Sequence, residues 1–477
     1  MLGFEKNEYR RRFRTHHHTM DIQVHYSNGK TISLDELQPT ISSRPDVDVD
    51  STLSPSQQRV MRAFLDGDNV FVTGPAGSGK SHLIREIVRA AEERGKKIQC
   101  CALTGCAAFL LNFNAKTLHS WAGIGLVKQP DDVIVRTILK MRYKRKRWAT
   151  VDILVIDEVS MLSHRTFELL DKIGKAVRRS DAPFGGIQVI LSGDFYQLAP
   201  TEEDFYCFES NLWAKNMNVS INLKEIHRQK DKRFTKILNQ IRRGRLSRRS
   251  YDTLMACKKK DKTLIPHGIR PTILYPRRFQ VDRLNRKKLA ELKTAAKVFE
   301  CRVIKGVHTL SPPYPNKYLI EIQQMTKNAP FDDRLVLREG AQVMCVANLD
   351  VENGVCNGST GIIIGFDSTS GCPVVQFHNG PTRTIRRHAW NSEHSEGISI
   401  HQIPLVTAWA ITIHKAQGAS LDLVEVDVGS SIFAYGQTYV ALSRVKTLEG
   451  LYLKSFCPEK ISVNARVNAF YESLEKK

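Results

Sequence analysis

Eight consecutive residues, Gly74-Pro75-Ala76-Gly77-Ser78-Gly79-Lys80-Ser81, carry the spacing G-x-x-x-x-G-K-S of a phosphate-binding loop. In such a loop the glycines let backbone N–H groups approach phosphate oxygens, and the helix that follows adds partial positive charge at its N-terminus. Lys80 is then expected to pair with the β- and γ-phosphates, and Ser81 to ligate Mg²⁺. Downstream, Val155-Ile156-Asp157-Glu158 sets two carboxylates at the end of an apolar run. Asp157 is the expected magnesium partner, and Glu158 is placed to orient or deprotonate an attacking water. Gly193-Asp194-Phe195-Tyr196-Gln197 follows the next apolar run, and Gln197 is the candidate to touch the γ-phosphate or that water. Taken singly, these segments also suit a glycine-rich turn, a solvated strand end and a polar strand cap. Their order along one chain favours a site that cleaves a nucleoside triphosphate with Mg²⁺.

Positioning those residues requires a sheet. Val70-Phe71-Val72, Ile98 to Leu103, Ile153 to Ile156 and Ile187 to Leu191 read as buried strands alternating with helical patterns, which is the signature of an α/β fold with a parallel sheet. The spacing predicts a helix over His82 to Arg94, with Leu83, Ile84, Ile87, Val88 and Ala91 on one face and Gly95 as its stop. A second series begins near Thr272-Ile273-Leu274, continues through the basic helical stretch Val281 to Leu292, and resumes near Val406 to Ile413. Between them, over about 310–400, short alternating strands such as Thr360 to Phe366 and Pro373 to Phe377, with turn signals at Asn357-Gly358 and Asn379-Gly380, predict a small β-barrel inserted into the second α/β domain. Residues 1–52 read as a polar lead-in, partly disordered, that ends in Pro45, Asp46, Asp48 and Asp50.

A chain of 477 residues is too long for one ordinary core, and its 42% apolar and 25% charged residues fit a globular protein. No apolar run is long enough to span a bilayer, so no membrane partner is expected. The net charge of +22 favours a polyanionic partner, because binding to nucleic acid releases counterions. Ten scattered cysteines without a paired C-x-x-C argue against a zinc site or a disulfide framework and favour a reducing intracellular compartment. His16, His17 and His18 suit a solvated tail better than a metal site, and Glu5 and Glu8 weaken a transit-peptide reading of Arg10, Arg11, Arg12 and Arg14.

At this point the chain resembles one family, the petite-integration-frequency (Pif-type) helicases of superfamily one, subgroup B. The resemblance rests on ordered segments: Leu53-Ser54 with Gln57, the phosphate loop, Thr104 to Ala108, Thr117 to Ser120, Ile156 to Leu162, and Pro183 to Gln188 with Leu191 to Pro200. Leu223 to Gln229, His414 to Gly418 and Tyr439 to Arg444 complete the series. It implies two RecA-like P-loop NTPase domains, at 53–222 and at 223–309 with 401–477, and an SH3-like insertion at 310–400. By resemblance Gln57 would recognise adenine, while Arg228 and Arg444 would reach the γ-phosphate from the second domain and tie cleft closure to catalysis. Thr104, Thr117, His119, His414, Lys415 and Gln417 would contact DNA, with Lys415 on backbone phosphate and Gln417 linking the DNA and ATP sites. One departure is that Ala199 precedes Pro200, where the family commonly has two prolines.

The implied activity is an ATP-dependent 5′-to-3′ DNA helicase acting on single-stranded DNA and forked or tailed duplex, in replication, repair, recombination or telomere maintenance. A monomer is expected, with a transient dimer on DNA, in the nucleus of a eukaryotic host or in its mitochondrion, a viral or bacterial origin being open. The alternatives are a DNA-stimulated translocase without productive unwinding and a non-catalytic nucleic-acid scaffold. Within 112–149, Lys140, Arg142, Lys144, Arg145, Lys146 and Arg147 interleave with Tyr143 and Trp148. This run suits equally a wedge that stacks on bases, a nuclear-import signal or a solvated face. Arg242, Arg243, Arg245, Arg248 and Arg249 form a second cluster with no assigned role.

Overall fold

A computed structural model of the chain describes residues 23–25, 31–33 and 53–475, except 112, 126, 201–204, 228–230, 262–270, 306–318, 320–321, 324, 327–328, 330, 348, 351–352, 354, 356–357, 379–381, 393–397 and 422. Of the expected lead-in, only Gln23–His25 and Thr31–Ser33 are therefore described; they pair antiparallel, with Val24 opposite Ile32. The histidine run, the N-terminal arginines, the turn residues Asn357, Asn379 and Gly380, and the candidate Arg228 lie outside the described residues.

From Leu53 onward two parallel sheets organise the chain. The first has six strands in the order Lys116–Thr117, Ile98–Ala102, Ile153–Asp157, Gln188–Gly193, Val70–Thr73 and Val219–Asn222. Every pairing is parallel, and Thr73 lies beside Gly193 while Ala102 lies beside Asp157. That register lines up the carboxyl ends of four strands, so the loops leaving them share one edge, where open α/β sheets bind their ligands. The helix Lys80–Glu93 buries Leu83, Ile84, Ile87, Val88 and Ala91, the face its apolar spacing predicts. The second sheet is also parallel, in the order Ala410–Thr412, Thr272–Tyr275, Val424–Val428 and Leu451–Phe456.

Antiparallel strands extend on both sides of 310–400. Lys297–Glu300 pairs with Arg334–Leu337, and Arg302–Lys305 pairs with Ile398–Gln402. A five-stranded sheet runs Thr382–Thr384, Pro373–Phe377, Thr360–Phe366, Gln342–Cys345 and Leu405–Thr407 around its own core of Val343, Ile363, Val375 and Phe377. The apolar run Val406 to Ile413 is consequently divided. Val406 pairs with Met344 in the antiparallel sheet, whereas Ala410 pairs with Ile273 in the parallel one. Continuous hydrophobicity hides this break because both halves are buried.

Two other expectations need correction. The helix Ala465–Glu475, within the 401–477 assigned to the second lobe, buries its apolar side chains in the first: Val467, Phe470 and Tyr471 join the first lobe's core, where Phe470 contacts Phe71, Phe195, Phe208 and Trp213, and the second lobe meets the helix through Arg242 and Arg243. Trp148 is not available to stack on bases. It is fully buried, its ring lies 4.8 Å from that of Trp121, and its indole N–H donates to the Ala122 carbonyl at 3.1 Å. Lys144 donates to the Gly123 carbonyl at 2.8 Å and Arg147 to the Ser120 carbonyl at 3.4 Å. Part of the basic run thus braces the helix Leu118–Ala122. A polar sequence neighbourhood masks such an anchor, since two aromatics among six cations leave no periodic stripe.

The lobes meet through apolar surface as well as polar bonds. Ala76 of the phosphate loop and Leu198 of the first lobe are buried within the second lobe's core, beside residues such as Phe234 and Tyr439. Trp148→Ala should destabilise the chain by about 3–5 kcal/mol, the usual cost of emptying a buried aromatic site. Denaturant unfolding followed by circular dichroism measures that loss; single-strand affinity of the folded variant should stay at the wild-type value, and a stable variant with weakened affinity would return Trp148 to the surface.

Candidate active site

The loop Gly74–Ser81 leaves the strand Val70–Thr73 and turns into the helix at Gly79, whose φ of +85° suits glycine. A Cβ there would also sit 2.6 Å from Gln57 Nε2. Gln57 is buried at the start of the helix Pro55–Leu65: its Oε1 accepts from the Ser54 N–H at 2.9 Å in a capping box, and its Nε2 donates to the Gly79 carbonyl at 3.4 Å. The candidate adenine reader is therefore held against the phosphate loop by its own helix cap. Lys80 Nζ donates to the carbonyls of Gly74 at 2.8 Å and Pro75 at 3.1 Å, while the Ser81 side chain is exposed.

Burial lowers the Lys80 pKa, and the carboxylates of Asp194, Glu158 and Asp157 act in the opposite direction. Asp157 ends the strand Ile153–Asp157 and is raised to about 6, first by burial and then by the neighbouring Glu158, with Ser192 acting against them. A cation delivered here would favour the charged form. Glu158 has the left-handed backbone φ of 56°, sparsely populated for a residue with a Cβ, and its Oε2 accepts from Gln417 Nε2 at 2.9 Å. Among the described residues, Ser78 Oγ, Gln197 Oε1 and Gln417 Oε1 are buried polar atoms with no protein partner. Groups of this kind fit a site that completes its hydrogen bonds with a bound polyanion, metal or water.

The second lobe reaches this edge directly. The Ala76 N–H donates to the Tyr439 hydroxyl at 2.8 Å, and Gly436, just before the helix Gln437–Leu442, packs so closely that a Cβ would lie 2.4 Å from the Tyr196 carbonyl. Arg444, two residues beyond that helix, is buried. Its Nε donates to Val440 O at 2.9 Å, Nη1 to Ala419 O at 3.4 Å and Nη2 to Ser443 Oγ at 2.8 Å. In this conformation its guanidinium thus bonds its own lobe, while Tyr439 of the same segment makes the contact to the phosphate loop. The chain preceding Arg228 lies along that loop too, with the His227 N–H donating to Gly77 O at 2.8 Å.

The candidate DNA contacts separate into three places. Thr104, His414 and Lys415 line one cleft of 1040 Å³ together with Arg277, Arg286 and Phe433. Phe433 is 54% exposed, carries the Arg277 guanidinium 4.7 Å from its ring centroid, and lies near-parallel to His414 at 6.1 Å. Thr117 and His119 belong instead to the edge strand and the helix Leu118–Ala122 braced by Lys144 and Trp148. Gln417 is buried against Glu158, two residues from the cleft-lining Lys415.

Sequence reasoning left several site residues unassigned. Tyr439 sits inside a motif already noted; Arg242 stands in a basic cluster to which the sequence assigns no role. In the structure Arg242 is buried and donates bidentately to Asp194, Nε to Oδ2 and Nη2 to Oδ1, both at 2.8 Å. Burial alone would lower its pKa, but the Asp194 carboxylate more than reverses this. Nothing in the sequence marks Tyr471, whose hydroxyl lies 3.2 Å from Asp194 Oδ1. Among the described residues no group of three or more His, Cys, Asp or Glu forms a metal cluster, and no helix is long and apolar enough to cross a membrane.

Comparison with known proteins follows the same geometry. A family model described as PIF1-like helicase matches residues 52–252, and one described as the 2B domain of DNA helicase Pif1 matches 323–366. The ATP-dependent DNA helicase PIF1 of Danio rerio is 36% identical over 431 residues, covering 89% of this chain and 64% of that relative, so the chain spans under two thirds of its length. The crystal structure of Pif1 helicase from Candida albicans superposes with a TM-score of 0.74 at 34% identity, covering 88% of this chain and 99% of that one. Pif1 from Bacteroides sp. in complex with ADP-AlF4 superposes with a TM-score of 0.72 at 28% identity, covering 90% and 98% respectively. The phosphate loop, the lobe arrangement and these likenesses agree: this chain belongs to the PIF1-like helicase family.

Proposed function

We propose that this chain is an ATP-dependent DNA helicase that steps 5′-to-3′ along single-stranded DNA and opens tailed or forked duplex. The observation that carries the proposal is that the phosphate loop and the carboxylate Glu158 are both bonded by the second lobe, through Tyr439 and Gln417. Triphosphate chemistry in a cleft walled by two lobes converts changes at the nucleotide into changes of lobe contact. A single-lobe phosphate-binding protein would have no use for those bonds.

In this reading Gly74 to Ser81 cradle the phosphates, Gln57 reads the base, and Ser81 with Asp157 would hold Mg²⁺, which would neutralise charge on the phosphates. Lys80 leaves its resting carbonyl partners to pair with the terminal phosphates. Glu158 orients the attacking water, with Gln417 fixing its carboxylate, and Gln197 senses the γ-phosphate by donating from its side-chain amide, its unpartnered Oε1 accepting from that water. Arg228 and Arg444 supply guanidinium charge as the lobes close; for Arg444 this requires exchange of its present bonds to Ala419, Val440 and Ser443. On the other side of the lobes, Lys415 takes backbone phosphate while Thr104, His414 and the Thr117–His119 segment line the strand's path. The exposed Phe433 ring beside Arg277 suits a sequence-independent stacking platform. The antiparallel insertion is taken to be the SH3-like module, and the setting to be maintenance of nuclear or mitochondrial DNA.

Lys80→Ala should lower DNA-stimulated ATP hydrolysis by roughly 10²-fold or more with the circular dichroism spectrum unchanged. Equal turnover in variant and parent would discard the assignment. Arg444→Ala is expected to bind a fluorescent ATP analogue as the parent does but to lose roughly 10³-fold in turnover, the scale of a cross-lobe guanidinium; normal hydrolysis would remove that role. Polarity is tested by strand displacement on 5′-tailed against 3′-tailed duplex with ATP and Mg²⁺. Unwinding of the 5′-tailed substrate alone is expected, whereas ATP hydrolysis stimulated by single strands without displacement of either would select the translocase reading.

A further inference from the structure

The helix Ala465–Glu475 sends Tyr471 into the first lobe behind the phosphate loop, where its hydroxyl joins three segments. It lies 2.5 Å from Thr73 Oγ1, at the last residue of the strand that feeds Gly74. It accepts from the Phe195 N–H at 3.1 Å and lies 3.2 Å from Asp194 Oδ1. Burial and the Asp194 charge raise the phenol's pKa, so the hydroxyl keeps its proton. One donor and two acceptor lone pairs then account for the set: Thr73 donates to Tyr471, Phe195 N–H donates to Tyr471, and Tyr471 donates to Asp194. The ring is also engaged. It stacks on Tyr196 at 4.5 Å and 18°, and the Arg242 guanidinium from the second lobe's helix Lys232–Arg242 lies 5.2 Å from its centroid, while Asn468, on the same helix as Tyr471, accepts from the Tyr196 hydroxyl at 3.0 Å.

Among the described residues, the hydrogen-bond partners of the Tyr471 hydroxyl therefore belong to the phosphate-loop strand or to the turn Asp194–Gln197, with Arg242 facing its ring from the other lobe. The backbone of that turn is otherwise held locally, by Tyr196 N–H to Asp194 Oδ1 at 3.2 Å and Gln197 N–H to Asp194 O at 2.9 Å. We infer that Tyr471 is a positioning residue for nucleotide hydrolysis: its hydroxyl fixes the Asp194–Gln197 turn against the strand end at Thr73, and so sets where Gln197 stands relative to the phosphate loop. The inference rests on the proposed ATPase activity for its consequence in turnover, but not for the coupling itself. Misplacement of a reacting group costs turnover far more than it costs ground-state binding.

The test uses the full chain with two variants. Tyr471→Phe keeps the stack on Tyr196 and the face offered to Arg242 and deletes only the hydroxyl. Val467→Ala, buried on the same helix in the first lobe's core, loosens docking without touching the network. Tyr471→Phe should lower kcat for ATP roughly tenfold at saturating single-stranded DNA. Its KM should stay within about twofold, as expected for an interaction made in the transition state. Val467→Ala should lower the thermal midpoint and keep the parent kcat. Amide exchange in a peptide covering Asp194 to Gln197 should speed up roughly tenfold in Tyr471→Phe and not in Val467→Ala. The inference is overturned if Tyr471→Phe retains parent kcat or parent exchange, or if Val467→Ala loses both in equal proportion. A parent chain that hydrolyses no ATP would instead reject the proposed function, and the exchange comparison would still decide the coupling.

Discussion

A guanidinium from one lobe is buried in the other. Arg242 leaves the helix Lys232–Arg242 of the second lobe, donates twice to Asp194 and lies 4.5 Å from the Tyr196 ring centroid and 5.2 Å from that of Tyr471. Two charges withdrawn from water carry a desolvation cost that only good geometry and further hydrogen bonds can offset. Here both are present: a planar fork meets both carboxylate oxygens, Tyr196 N–H and the Tyr471 hydroxyl approach Asp194 Oδ1, and two aromatic faces receive the cation. Loss of either partner would strand a buried charge, so this pair fixes how the lobes can meet. Asp194 belongs to the same turn as Gln197, and the phosphate loop is one strand away.

Around that fixed point the second lobe also makes exchangeable bonds at the nucleotide edge. Tyr439 takes one N–H from Ala76, Gln417 gives one to Glu158, and Arg444 rests on carbonyls of its own lobe. A neutral single hydrogen bond contributes about 0.5–1.5 kcal/mol and one to a carboxylate about 1.5–3 kcal/mol, small enough for a bound triphosphate to rearrange them. A buried bidentate pair beside exchangeable contacts is the arrangement of a pivot beside a moving edge. The segment Thr412 to Ala419 spans both functions in eight residues, with His414 and Lys415 on the cleft and Gln417 on the carboxylate. Its turn is held by Ala416 N–H to Thr412 O and Gln417 N–H to His414 O, so bonded backbone joins the cleft-lining residues to Gln417.

The parts of the site legible in the sequence act through a few neighbouring residues. The phosphate loop, the helix face of Leu83 to Ala91, the Asp157 strand end and the turn before Gln197 each depend on backbone conformations set within a window of about ten residues, and their order reports the fold. The sequence by itself thus determined the two parallel sheets, the antiparallel insertion and the nucleotide edge. Tertiary structure alone decided which lobe's core the helix Ala465–Glu475 joins, that Trp148 and Arg242 are interior, where Val406 to Ile413 divides, and that Gln417 turns to Glu158. In each of these the deciding partner is remote in the chain: 276 residues separate Phe195 from Tyr471 and 259 separate Glu158 from Gln417. Local pattern states that a side chain will be buried; only packing between distant segments states against what, because desolvation is indifferent to the identity of the neighbour while a hydrogen bond or an ion pair is not.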